Sequence, residues 1–113
     1  MSESFKEKQQ QEIREKWAEY AKAKAEHIYL EHYRKSLTAI LQKEAMVNGF
    51  TSVAAQEREA LSDSRYTDVI NGIKVAVEQE ELFRGEVKMA EWRFEAWKAR
   101  LYADQREAKR YGH

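Results

Sequence analysis

The chain has 113 residues, 35% charged and 42% hydrophobic, and its 20 Lys plus Arg balance 20 Asp plus Glu for a formal net charge of zero. So short a chain holds a single domain, and its charge balance argues against a generic nucleic-acid coat or a membrane-surface anchor, both of which need a basic excess. The absence of cysteine excludes a disulfide framework, a thiolate zinc site and a Cys nucleophile.

Proline is absent as well. Proline removes a backbone donor and clashes with the preceding turn, so a proline-free chain rich in Ala, Glu, Lys, Gln and Arg points to long uninterrupted helices. The opening stretch MSESFKEKQQQEIREKW carries no apolar segment of signal-peptide type, and no run approaches a membrane span. A soluble cytoplasmic protein that engages no membrane is the expectation.

The first element is a helix over residues 4–47, with Ser2 or Ser4 as its N-cap. Leu30, Tyr33, Leu37, Ile40 and Val47 follow an alternating three–four spacing that Glu44 interrupts. Upstream, Ile13, Trp17, Ala21, Ala25 and Ile28 drift around the helix. Asn48 and Gly49 suit a left-handed C-cap, with apolar Phe50 closing over the last turn. An elbow over 48–64 comes next, holding a short helix capped by Thr51 or Ser52 and broken at SDSRY.

Ser64 is the expected cap of a second long helix over 65–111. Its seam runs through Tyr66, Val69, Ile73, Ala76, Glu80, Phe83, Val87, Ala90, Phe94, Trp97, Leu101, Asp104, Ala108 and Tyr111, so only Glu80 and Asp104 break the apolar register. A 3.5-residue repeat of this length predicts coiled-coil-like packing, and it passes straight through the Asn71–Gly72 pair. The predicted fold is all-α: one antiparallel helical hairpin with a short helical elbow. The competing arrangement, a single long helix, conflicts with the Gly49 stop and the SDS break.

One position back along the second helix lies another strip: Leu82, Gly85, Met89, Trp92, Ala96, Ala99 and Ala103. A single partner helix covers one seam, so Phe94 and Trp97 are expected against the first helix and Trp92 and Met89 outward. Trp and Met are favoured anchors at protein contacts, and small residues let another helix approach. The strip therefore predicts a homodimer, two hairpins forming a helical bundle, unless the first helix and the elbow wrap over both faces.

Catalytic chemistry has little support. His27 and Glu31 lie four apart with His32 beside them, but two ligands do not make a metal site, and no HExxH is present. Glu80 and Asp104 read as register-setting residues paired with Lys or Arg across the hairpin. The four glycines are isolated, so there is no phosphate-binding loop. No enzyme activity, metal or cofactor is expected.

Two further surfaces qualify for binding. From Lys88 onward seven basic residues face four acidic ones, and Lys98, Arg100, Arg106, Lys109 and Arg110 with nearby aromatic rings make a candidate single-stranded nucleic-acid surface. The elbow is acidic and the least repetitive part of the chain, so its tip, with Phe50, Gln56 and Arg58, is a candidate protein-binding site. Sealing the end of the bundle is the alternative role for that segment.

The segments YRKSLTAILQKEA, GFTSVAAQEREALSDSRYTDVINGIKVAVEQEE and EWRFEAWKAR, within residues 29 to 101, resemble small helical proteins of tailed bacteriophages. The shared pattern is a Lys-Glu-Ala before a glycine, an Ala-Gln-Glu-Arg-Glu-Ala elbow, a Ser-x-x-Tyr helix start and a closing Trp-Arg-x-Glu-x-Trp-like segment. The resemblance implies an accessory role in phage DNA metabolism or host takeover, in the host cytoplasm, through a protein partner. It supplies no catalytic residues.

Overall fold

The computed structural model describes residues 2–112, with side chains for 4–111. Three helices account for nearly all of it: α1 (Ser2–Val47), α2 (Val53–Ser62) and α3 (Ser64–Gly112). α1 packs closely on α3. The chain forms two compact units, Lys22–Glu80 and Met1–Ala21 with Glu81–His113, and α1 and α3 contribute to both.

In the unit Lys22–Glu80, the chain reverses at a hydrogen-bonded stop. The Phe50 N–H donates to Ala45 O at 3.0 Å and the Gly49 N–H to Met46 O at 3.2 Å, the paired bonds of a Schellman cap. Gly49 carries a φ of 103°, a left-handed conformation that costs an L-residue with a Cβ. Ser52 caps α2 by accepting from the Ala55 N–H at 3.1 Å. α2 then presses Ala60, 1% exposed, against Leu37, Leu41 and Val69, with Tyr66 and Ile73 packed around them.

The cap of α3 is not Ser64 but Asp63, one residue earlier. Its carboxylate accepts from the Arg65 N–H at 2.8 Å, and its carbonyl accepts from the Tyr66 and Thr67 N–H groups. The same residue ends α2, where its own N–H donates to Ala60 O at 3.3 Å. Asp63 prevails because it can close both helices, whereas Ser64 already lies within α3. At the other end, Ser4 lies inside α1, and the side chain of Ser2 lies outside the described residues.

α1 departs from its expected register. Tyr33, Ile40 and Val47 are exposed, and the buried residues are Leu37, Leu41 and Ala45. With half-buried Ala23, His27, Leu30 and Arg34 they form the inner stripe in this unit. Tyr33 instead stacks on Tyr29, with ring centroids 6.3 Å apart. Polar residues within the stripe hide it from a count of hydrophobic letters: Arg34 is held by Glu31 at 2.9 Å and His27 by Glu80 at 2.6 Å. α3 runs antiparallel to α1 here, since Arg65 meets Glu44, Gly72 faces Leu30, and Glu80 meets His27.

In the unit of residues 1–21 and 81–113, α3 supplies the apolar side. Val87 and Ala90 are buried, and Phe83, Phe94, Trp97 and Leu101 are half-buried. α1 contributes Gln9, Ile13, Lys16 and Tyr20 to the same interface, while Trp17 is exposed and meets Tyr20 edge-on at 5.7 Å. Phe5 packs on Trp97 at 5.2 Å, and Phe94 stacks on Trp97 at 5.9 Å. The helices are antiparallel in this unit too, with Lys16 on Glu86 and Glu12 on Arg93.

The α3 seam ends earlier than its sequence pattern. Asp104, Ala108 and Tyr111 are exposed, because Phe5 already meets Trp97 and no described α1 side chain lies opposite them. Asp104 is thus a surface residue. Glu80 is buried at 8% exposure, but its partner is His27, not a Lys or Arg.

Candidate functional site

The strip Leu82, Gly85, Met89, Trp92, Ala96 and Ala99 lies exposed along α3, with Trp92 at 66% and Leu82 at 62%, whereas Ala103, expected to continue it, is half-buried. Successive helical residues turn by about 100°, which sets this strip on a different side of α3 from Val87, Ala90 and Phe94. The two indole rings at the centre of α3 therefore differ in role. Trp97 lies half-buried against Phe5, while Trp92 presents its face to solvent.

Along one edge of the strip lies an open groove of about 450 Å³, with Leu82, Gly85 and Met89 as its floor. Its rim carries both signs of charge. Lys16 Nζ lies 3.2 Å from Glu86 Oε2, and Arg93 pairs with Glu12. The hydrogen bond to Glu86, with Glu19 and Glu12 nearby, holds the Lys16 ammonium above the ordinary lysine range. Hydrophobic patterning alone does not point to Glu12 or Lys16. The signal for Lys16 is the polar-tolerant repeat Gln9, Ile13, Lys16, Tyr20, which keeps the three–four spacing without keeping hydrophobicity, and Glu12 lies off that repeat.

The basic end is partly occupied by internal contacts. Lys98 is half-buried, 3.0 Å from Glu95, and lies over the Phe94 ring at 5.0 Å. Arg100, Arg106, Lys109 and Arg110 are exposed, and the Arg110 guanidinium lies 5.4 Å from the Tyr111 ring. Tyr102 and Tyr111 are also exposed.

At the elbow, Gln56 is half-buried and donates through Nε2 to Phe50 O at 2.9 Å, so its amide fastens the turn. Phe50 and Arg58 are exposed. Beside them Arg65 bridges Glu44 at 2.6 Å and Asp63 at 3.0 Å, joining the end of α1 to the start of α3. Hydrogen bonds from this guanidinium hold the Asp63 and Glu44 carboxyls below their ordinary ranges and keep Arg65 above its own.

The polar chain Glu80–His27–Glu31–Arg34 joins four titratable groups. His27 Nδ1 lies 2.6 Å from Glu80 Oε2, His27 Nε2 3.7 Å from Glu31 Oε1, and Arg34 Nη2 2.9 Å from Glu31 Oε2. The histidine ring lies between two carboxylates, which fixes its orientation and gives the buried Glu80 carboxyl a hydrogen-bond partner. His32 is exposed and takes no part in it. Among the described residues no three His, Cys, Asp or Glu side chains are grouped to hold a metal ion. No described helix is long and apolar enough to cross a membrane.

The outward face of α3 is the candidate site that geometry favours, since it joins exposed large apolar side chains to a charged groove. No protein-family model, no curated protein and no solved structure matches the chain.

Proposed function

We propose that the chain is a non-enzymatic binding protein: an antiparallel helical hairpin with coiled-coil-like packing that self-associates through the outward face of α3. Its class is that of an accessory factor which modulates or inhibits a partner protein. The pattern it shares with small helical phage proteins makes a DNA-metabolism or host protein the partner class. The observation that carries the binding reading is Trp92, exposed at 66% in line with Met89 and Leu82. Trp and Met are costly to leave in water and common at the centre of protein contacts.

Light scattering across a concentration series, on the wild type and on Trp92→Ala, tests the self-association. A wild-type dimer that dissociates on substitution supports the strip as the contact. A wild-type monomer at every concentration sinks the dimer.

A second reading, single-stranded nucleic-acid binding, draws on the exposed Arg100, Arg106, Lys109 and Arg110 near exposed Tyr102 and Tyr111. Stacking rings with flanking cations hold bases and backbone together. Such binding would fall steeply with added salt and with neutralisation of those four residues. Insensitivity to both would end it.

A further inference from the structure

Gly85 is not explained by the fold of one chain. A Cβ added there would meet nothing within 4 Å, whereas at Gly72 it would touch Leu30 Cδ1 at 3.8 Å. Glycine inside a helix weakens it relative to alanine, and it is the residue that lets another backbone come close. Here it sits between exposed Leu82 and Met89. A helix-weakening residue that its own chain does not require, set between the apolar Leu82 and Met89 of the strip, leaves room for the backbone of a second helix.

The charges beside the strip say which helix. One flank carries Glu86, Arg93 and Arg100 and the other Glu81, Lys88 and Glu95, all exposed. Two α3 helices laid antiparallel with Met89 opposite the Trp92 of the second copy also set Gly85 opposite Ala96 and Leu82 opposite Ala99. Each bulky residue at the ends then meets a small one, and the two central layers are Met on Trp. In antiparallel pairs, each flank faces its own counterpart. Glu86 therefore faces Arg93 of the second copy, and Lys88 faces Glu95 of the second copy.

The two-fold axis repeats both contacts, so all four join opposite signs. Glu86 and Arg93 already hold Lys16 and Glu12, so each crossing extends to a row of alternating charges from both chains. A parallel pairing would instead face Glu81 with Glu86 and Lys88 with Arg93, like against like, leaving only Glu95 with Arg100 attractive.

We infer that the occupant of this face is a second copy of the chain, with α3 paired antiparallel to α3 about an axis between Ala90 and Glu91. This rests on the proposed self-association and specifies its geometry. The contact from Leu82 to Ala99 spans about 25 Å at 1.5 Å per residue.

The test uses the full chain carrying Lys88→Glu or Glu95→Lys, alone and mixed in equal amounts, with sedimentation as the readout. Both positions are exposed, and helix content by circular dichroism verifies folding of each variant. Either variant alone turns two attractive contacts per dimer into two repulsive ones, raising the dissociation constant about tenfold or more. The mixture restores every opposite-sign contact, so the two variants should combine into a heterodimer near wild-type affinity. A mixture no tighter than either variant overturns the antiparallel register.

Gly85→Ala supplies an independent readout. It should raise the dissociation constant at least about tenfold without lowering helix content, since alanine favours the helix. An unchanged dimer would overturn the close crossing. A wild-type monomer defeats both this geometry and the self-association beneath it. A dimer lost on Trp92→Ala but not rescued by mixing defeats the geometry alone.

Discussion

His27→Ala should destabilise the fold by about 2 kcal/mol, a value set by the burial of the hydrogen bond it breaks. The Glu80 side chain is 10% exposed and His27 27%, with their polar atoms 2.6 Å apart. Leaving a buried hydrogen-bonding group without its partner costs about 1–3 kcal/mol, and more when the group is charged. Water reaches part of the imidazole, which lowers the figure, and the loss of its packed ring adds to it. With urea slopes of roughly 1–3 kcal/mol/M for small proteins, the midpoint should fall by about 1 M.

Urea unfolding monitored by circular dichroism measures the change, and a double-mutant cycle with Glu80→Leu isolates the pair. The double replacement His27→Leu with Glu80→Leu should be neutral or stabilising, since a well-packed apolar pair avoids the desolvation cost. A loss below about 0.5 kcal/mol for His27→Ala, typical of an ordinary surface change, would refute the role assigned to the pair.

The elbow yields two further expected outcomes. Gly49→Ala forces an L-residue into a φ of 103°, and thermal unfolding should register a loss of about 1–2 kcal/mol. Glu44 and Asp63 have carboxyls held below their ordinary ranges by Arg65, so at acid pH the unfolded chain binds more protons than the folded one. Their contribution is present above the unfolded values near pH ~4 and is lost as pH falls through the lower folded values. Amide protection at the elbow, corrected for the intrinsic slowing of exchange in acid, should fall over that window, and Arg65→Ala should abolish that fall.

How legible the fold was depended on which helix carried the hydrophobicity. α3 places Val69, Ala76, Val87, Ala90, Phe94 and Trp97 inward in register, and an apolar three–four repeat exposes that arrangement in the letters alone. α1 uses the same spacing with Gln9, Lys16, His27 and Arg34 at inward positions. Hydrophobic counting therefore shifts to Tyr33 and Ile40, which are exposed. Lys16, His27 and Arg34 fill such positions while their polar ends reach Glu86, Glu80 and Glu31, and no single sequence announces those partners.

Gly49 was readable because a helix stop needs a left-handed residue. Asp63 was not, since a serine stood beside it in an equally plausible place. At the candidate site, Leu82, Met89 and Trp92 stood out as a second apolar strip. Gly85 acquired meaning only once the space around it was known to be empty.

The single-residue joint at Asp63 has a mechanical consequence. Two helices that share one capping residue have no slack between them, so α2 and α3 are phased like consecutive teeth. Inserting one amino acid between Ser62 and Asp63 and carrying the helix through it would rotate α3 by about 100° relative to α2, moving Tyr66 and Val69 away from Ala60. The turn at Phe50 and Thr51 lies outside both flanking helices and can lengthen without such rotation. An engineered change of length in this part of the chain should therefore be tolerated on the side of the elbow nearer α1 and not at Asp63.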